Sequence, residues 1–248
     1  MGQKKLIRFA EITTFKNVFQ QPEGTKGKWH EFFENKNQIV LELACGKGEY
    51  SIGLATLYPD KNLIGVDLKG NRIWVGAKKA IESNLSNVAF IRSQIGMIDA
   101  YFEKGEVAEI WLPFPDPQLR ISKAKKRLTH PIFLRKYKQI MGSGGYINLK
   151  TDSPTLYAFT KLVIETYGLS ILENSDDINR DLTTNKELEI RTHYESLDIA
   201  NSRRVHYLKF KIDKELNLEK DAFLMNEVRR LETGLKEGLE NNEEETTD

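Results

Sequence analysis

The residues whose types and spacing could do chemistry are acids at the ends of apolar runs, a glycine turn, and a long stretch of one-signed charge. In "ELACGKGEY" an apolar run meets Gly46 and Gly48, which allow a tight turn and close approach of the backbone to a ligand. Asp67 ends the next apolar run, where a carboxylate can accept both hydroxyls of a ribose. Those features suit any adenosine-containing cofactor. Ser51 replaces the third glycine of a dinucleotide loop, and Glu42 stands just before the turn. A carboxylate there would repel a pyrophosphate, but it would attract the ammonium and sulfonium of S-adenosylmethionine. A methyl donor is therefore preferred over a nucleotide cofactor or an empty structural turn. Gln94, after the third run, stands where an adenine contact would lie; position alone does not separate that role from a solvated loop residue.

A second constellation is "WLPFPDPQLRISKAKKRL". Pro115 and Pro117 fix their own φ and bias Phe114 and Asp116 toward extended backbone, so the Asp116 carboxylate is presented stiffly. From Pro117 to Thr151 there is no acidic residue, while Arg120, Lys123, Lys125, Lys126, Arg127, Arg135, Lys136, Lys138 and Lys150 are basic. One-signed charge beside a methyl-transfer site reads as a track for a phosphate backbone, and so for a nucleic-acid substrate.

The elements that must position these residues follow from periodicity. Short apolar runs alternate with helical patterns from about residue 39, the signature of βαβ units. Strands are expected at "QIVLELAC", "NLIGVDL", "NVAFIRS", "VAEIWLPF" and "RRVHYLKFKI", and "GSGGYINLKTD" reads as a glycine-rich turn into a further strand. Helices are expected at Glu49 to Leu57, "RIWVGAKKAIESNL", "PIFLRKYKQIM" and "SPTLYAFTKLVIETYG", the last capped by Ser153 and ended by Gly168. The expected fold class is α/β, a Rossmann-like, doubly wound, mostly parallel sheet with helices on both faces. An arm and lead-in helix over 1–38 precede the domain at 39–212. The segment 213–248 combines a charged helix, striped by Leu224, Val228, Leu231, Leu235 and Leu239, with the acidic, disorder-prone tail "ENNEEETTD". The stripe suits packing on the domain or a partner helix.

Composition excludes several classes. The formal net charge is +1, so affinity for nucleic acid must come from local patches. The single cysteine, Cys45, permits no internal disulfide. The histidines His30, His130, His193 and His206 lack metal-ligand spacing, so no metal is expected. No signal peptide or bilayer-spanning run is visible, so a cytoplasmic protein without a membrane partner is expected, as a monomer or homodimer.

In their order, "KGKWHEFF", "LELACGKGEY", "GVDLKGNRIW", "PFPDPQ" with "KKRLTHPIFLRKY", "GGYINLKTD" and "RTHYE" resemble the bacterial tRNA (guanine-N7)-methyltransferases, from about Lys26 to Lys211. The resemblance implies a class I methyltransferase fold and methylation of a variable-loop guanosine in tRNA, with S-adenosylmethionine as donor. It also implies that Glu42, Asp67, Gln94 and Asp116 line the donor pocket and that Asp116 is catalytic. Arg120, Asp152, Thr192, Tyr194 and Glu195 would contact substrate, and Ser122, Lys123, Lys125, Lys126 and Arg127 would lie in the RNA-binding segment. The chain departs from the family at Gln118, Leu119, Arg120 and Ile121, where a tryptophan, a proline and lysines are usual, and at Ala44, where the donor loop has its first glycine. The competing functions are a non-catalytic RNA-binding scaffold and an α/β enzyme for a small molecule. Neither accounts for a proline-framed acid beside a one-signed run.

Overall fold

The computed structural model describes residues 2–181, 185–193, 195 and 204–244. Eight strands form one sheet in the order β1-β4-β3-β2-β5-β6-β8-β7. They are β1 (Val18–Gln20), β2 (Gln38–Leu43), β3 (Lys61–Asp67), β4 (Val88–Arg92), β5 (Val107–Pro113), β6 (Met141–Thr151), β7 (Ile171–Ser175) and β8 (His206–Phe210). Neighbours from β1 through β6 pair in parallel, and β8 enters antiparallel between β6 and β7. The expected doubly wound, mostly parallel sheet is thus present.

The chain moves outward from β2 through β3 to β4, then crosses to the other side for β5 and β6. That reversal opens a crevice at the carboxyl ends of β2 and β5, where ligands bind in open α/β sheets. Alternation along β2 assigns its two faces. Ile39, Leu41 and Leu43 join a core beneath α2 (Trp29–Phe33), α5 (Pro131–Ile140), α6 (Pro154–Tyr167) and α7 (Lys220–Glu244). Val40 joins a second core with α3 (Glu49–Leu57) and α4 (Gly70–Glu82). Period two therefore turns Glu42 toward α3, an unusual place for an acid that is only 2% exposed.

The helices follow their expected bounds closely. The Ser153 side chain accepts from the Leu156 amide at 3.2 Å, and Gly168 closes α6 in the left-handed region. On α4, Ile73, Ala77 and Ala80 are buried, but Ile81 is 46% exposed. The N-terminal helix α1 (Gly2–Glu11), β1 and β7 were not expected from periodicity. β1 has three residues, and most of β7 is exposed at the sheet edge, so neither carries a clear apolar period.

The C-terminal stripe packs on the domain through Leu224 and Val228, both fully buried in the same core as Ala124 and Leu128. The Arg135 guanidinium secures the helix start, donating to both Asp221 carboxylate oxygens at 3.1 and 2.5 Å and to the Leu216 carbonyl at 2.7 Å. Helix α7 runs to Glu244, so the first part of the acidic tail is helical rather than disordered. The Leu235 and Leu239 side chains lie outside the described residues. Among the described residues, no helix is long and apolar enough to cross a membrane.

Candidate active site

The glycine turn joins β2 to α3 and is shaped by left-handed backbone at Ala44, Gly46 and Gly48, with φ of 59°, 56° and 71°. At Gly48 the requirement is also spatial, since a Cβ would lie 2.5 Å from the Phe90 ring. The turn is pressed against α4, where a Cβ at Gly76 would lie 2.4 Å from the Lys47 carbonyl oxygen. Asp67 closes it from β3: its oxygens accept from the Gly46 amide at 3.0 Å and the Lys69 amide at 2.7 Å. The Glu42 carboxylate accepts from the Ser51 amide at 2.7 Å and from its hydroxyl at 2.5 Å. Burial nevertheless pushes the Glu42 pKa up to about 8, against the lowering effect of those bonds.

Asp116 is exposed at the mouth of a cavity of about 990 Å³, which is also lined by Ala44, Asp67, Arg72, Phe114 and Asp152. Its Oδ1 accepts from the Gln118 amide at 2.9 Å, a local turn that steadies the carboxylate. The proline reasoning needs correction at Phe114, whose φ is 48° rather than extended. Its amide donates to the Lys150 carbonyl at 2.7 Å, which carries the β5–β6 pairing past Pro113 and outweighs the pre-proline bias.

Arg127 also departs from expectation. It is fully buried, donating to the Pro117 and Gln118 carbonyls at 3.0 Å each and lying 4.6 Å over the Phe159 ring. It holds the Asp116 loop from behind instead of facing RNA. The basic run divides in the same way. Arg135 pairs with Asp221, Lys136 with Asp99 and Lys138 with Glu215, while Lys150 is buried against Glu195. A charge run read along the chain omits acids brought in from elsewhere. The exposed remainder is Arg120, Lys123, Lys125 and Lys126, with exposed Ser122 among them, on or beside the 3-10 turn Ile121–Lys126 next to Asp116.

A second cavity of about 430 Å³ lies on the Glu42 side, lined by Glu42, Cys45, Gly46, Arg72, Phe114 and Thr192 among others. Arg72, Ala44 and Phe114 border both cavities. Thr192 and Glu195 form a reciprocal cap: the Thr192 amide donates to Glu195 Oε2 at 2.8 Å, and the Glu195 amide to Thr192 Oγ1 at 3.3 Å. Tyr194 lies outside the described residues. Gln94 is exposed at the start of the 3-10 turn Ile95–Ala100 and borders neither cavity.

Comparison with known proteins gives the family. Residues 36–208 match a family model described as "Putative methyltransferase". The tRNA (guanine-N(7)-)-methyltransferase of Bacteroides fragilis is 43% identical over 87% of this chain and 88% of its own. The protein of that name from Christiangramia forsetii is 46% identical over 86% of this chain and 100% of its own. The chain belongs to the tRNA (guanine-N7)-methyltransferase family. A more distant member, from Listeria monocytogenes, is 32% identical over 79% of this chain. The fold is shared with a solved 30S ribosomal A1408 methyltransferase from an uncultured bacterium, at 17% identity. Its TM-score is 0.57, and the match covers 80% of this chain and 98% of that one.

For a methyltransferase of this family the donor cradle is chemically apt. Asp67 is held by two amides, the glycine turn leaves room at Gly46 for a ligand, and Glu42 is a buried acid on a cavity wall, suited to a cationic group. S-adenosylmethionine fits that donor set. Sequence reasoning missed Arg72, Phe114 and His206 as cavity walls and Gly76 as the helix residue admitting the turn. Gly76 had a signal, an isolated glycine inside a helical pattern; the others are ordinary residues that only the fold brings together.

Proposed function

We propose that the joined cavities are where this enzyme transfers a methyl group from S-adenosylmethionine to N7 of a variable-loop guanosine in tRNA, giving 7-methylguanosine. The observation that carries this is that Asp67, behind the glycine turn, and Asp116, ahead of the basic turn, line one cavity. Residues 39–212 form the catalytic domain in this reading, with an N-terminal arm and a C-terminal helix added. In the same reading the enzyme is cytoplasmic and works as a monomer or homodimer.

When bound, the donor supplies an electrophilic methyl group on a sulfonium. Asp67 and the glycine turn hold the ribose end, and the Glu42 carboxylate faces the positively charged amino-acid end. Guanine N7 already carries a lone pair on the major-groove edge, so the protein need not remove a proton to make it nucleophilic. Catalysis is then mainly alignment, for which Asp116 and Asp152 border the same cavity as Ala44 and Asp67. Positive charge grows on the guanine ring as the bond forms, and the Asp116 carboxylate stabilises it. Arg120, Ser122, Lys123, Lys125 and Lys126 receive the RNA backbone, while Asp152, Thr192, Tyr194 and Glu195 contact the nucleotide.

The test is Asp116→Asn, which preserves an acceptor for the Gln118 amide and removes the charge. With unmodified tRNA and labelled donor, its kcat should fall by about a hundredfold or more at unchanged thermal stability. Wild-type production of 7-methylguanosine by that variant would remove Asp116 from the mechanism.

A further inference from the structure

Lys150, the next-to-last residue of β6, pairs with Pro113 of β5, and it is 1% exposed. Its ammonium donates to Glu195 Oε1 at 2.9 Å, to the Leu188 carbonyl at 2.9 Å and to the Ile190 carbonyl at 3.2 Å. Three acceptors match the three protons of the ammonium. The Phe114 and Tyr50 rings lie 5.3 and 5.5 Å from the same nitrogen. Meanwhile its backbone carbonyl accepts from the Phe114 amide. One residue therefore ties together the loop leading to Asp116 and the segment Leu188–Glu195.

The tie continues into the site. Glu195 uses one carboxylate oxygen on Lys150 and the other on the Thr192 amide, and Thr192 borders the Glu42 cavity. The segment has another anchor at Gly53, where an added Cβ would lie 2.9 Å from the Ile190 side chain. Burial lowers the Lys150 pKa while Glu195 opposes that shift. A buried cation at this position costs desolvation that an apolar residue of similar length would avoid.

We infer that Lys150 is a positioning residue for methyl transfer: through Glu195 and the Leu188 and Ile190 carbonyls it holds Thr192 on the cavity wall in register with the Asp116 loop. The inference rests on reading Thr192 and Glu195 as substrate contacts. It assigns Lys150 an internal role, away from RNA phosphates.

Lys150→Met keeps chain length and removes the charge. In the free protein, hydrogen exchange should show amide protection over 188–195 falling by about tenfold or more, while protection over 44–51 is retained. The same variant should lose about tenfold or more in kcat on tRNA, with the donor Kd changed by less than about threefold. Combining Lys150→Met with Glu195→Ala should cost less than the product of the two single losses, because the Lys150–Glu195 pair is common to both. If Lys150→Met does not fold, Lys150→Gln, which retains N–H donors without charge, takes its place in every comparison. Unchanged protection over 188–195, wild-type turnover, or donor binding lost in parallel with turnover and melting temperature would each overturn the role. Failure of the substrate reading shows itself separately, as wild-type turnover by Thr192→Ala.

Discussion

Glu42 is the residue at which fold and function conflict most directly. Its pKa of about 8 lies above the ordinary 4.5, chiefly because burial disfavours the charge. The unfolded chain loses this proton first, so the contribution to stability is full below pH 4.5 and is lost as pH rises through 8. Without donor, Glu42→Gln should therefore raise the melting temperature at pH 8 relative to wild type. A cationic donor favours the carboxylate, so donor affinity measured by calorimetry should tighten by roughly tenfold between pH 6.5 and 8.0. Glu42→Gln should bind more weakly and lack that part of the pH dependence; an identical profile in both proteins would exclude Glu42 as the linked group.

Among the elements, the glycine turn and the Asp116 loop differ in what holds them. Gly48→Ala drives a methyl into the buried Phe90 ring from a left-handed backbone, whereas Gly46 has the same hand of backbone but open space. Gly46→Ala should then cost about 1 kcal/mol of backbone strain, and Gly48→Ala at least about 2 kcal/mol with weakened donor binding; denaturant midpoints separate them. Arg127 makes a different kind of claim, because it lies in a basic run but is fully buried. Arg127→Ala should destabilise by roughly 3 kcal/mol through carbonyls left unpaired and lost packing. It should also leave the salt slope of tRNA binding unchanged. Lys125→Ala should do the opposite, preserving stability and lowering that slope by about 0.7 to 0.9.

At the scale of the whole molecule, RNA affinity depends on which cations reach solvent. The run contains nine basic residues, but its exposed members on the site edge are Arg120, Lys123, Lys125 and Lys126. If these carry the phosphate contacts, the log–log salt slope should be roughly −3. A slope near −8 would bring the ion-paired residues back into contact, and a flat response would remove the phosphate track. The same distinction shows what was legible beforehand. Period-two alternation, the Ser153 cap, the glycine turn and the acids at strand ends each depend on near neighbours in the chain. They announced the doubly wound sheet and placed Glu42, Asp67 and Asp116 on one edge. Short β1 and exposed β7 lacked enough apolar period to announce themselves. Phe114 escaped because its conformation is decided by a bond to the neighbouring strand.

The sequence by itself thus determined the fold class, the donor turn, the family and the acid between two prolines, because these are written in local spacing and conformational restriction. The tertiary structure alone decided which cations are paired, that Arg127 and Lys150 are internal fastenings, and that Thr192 meets the Glu42 cavity. The reason is physical: burial and ion pairing depend on partners far along the chain, such as Glu195 for Lys150 and Asp221 for Arg135.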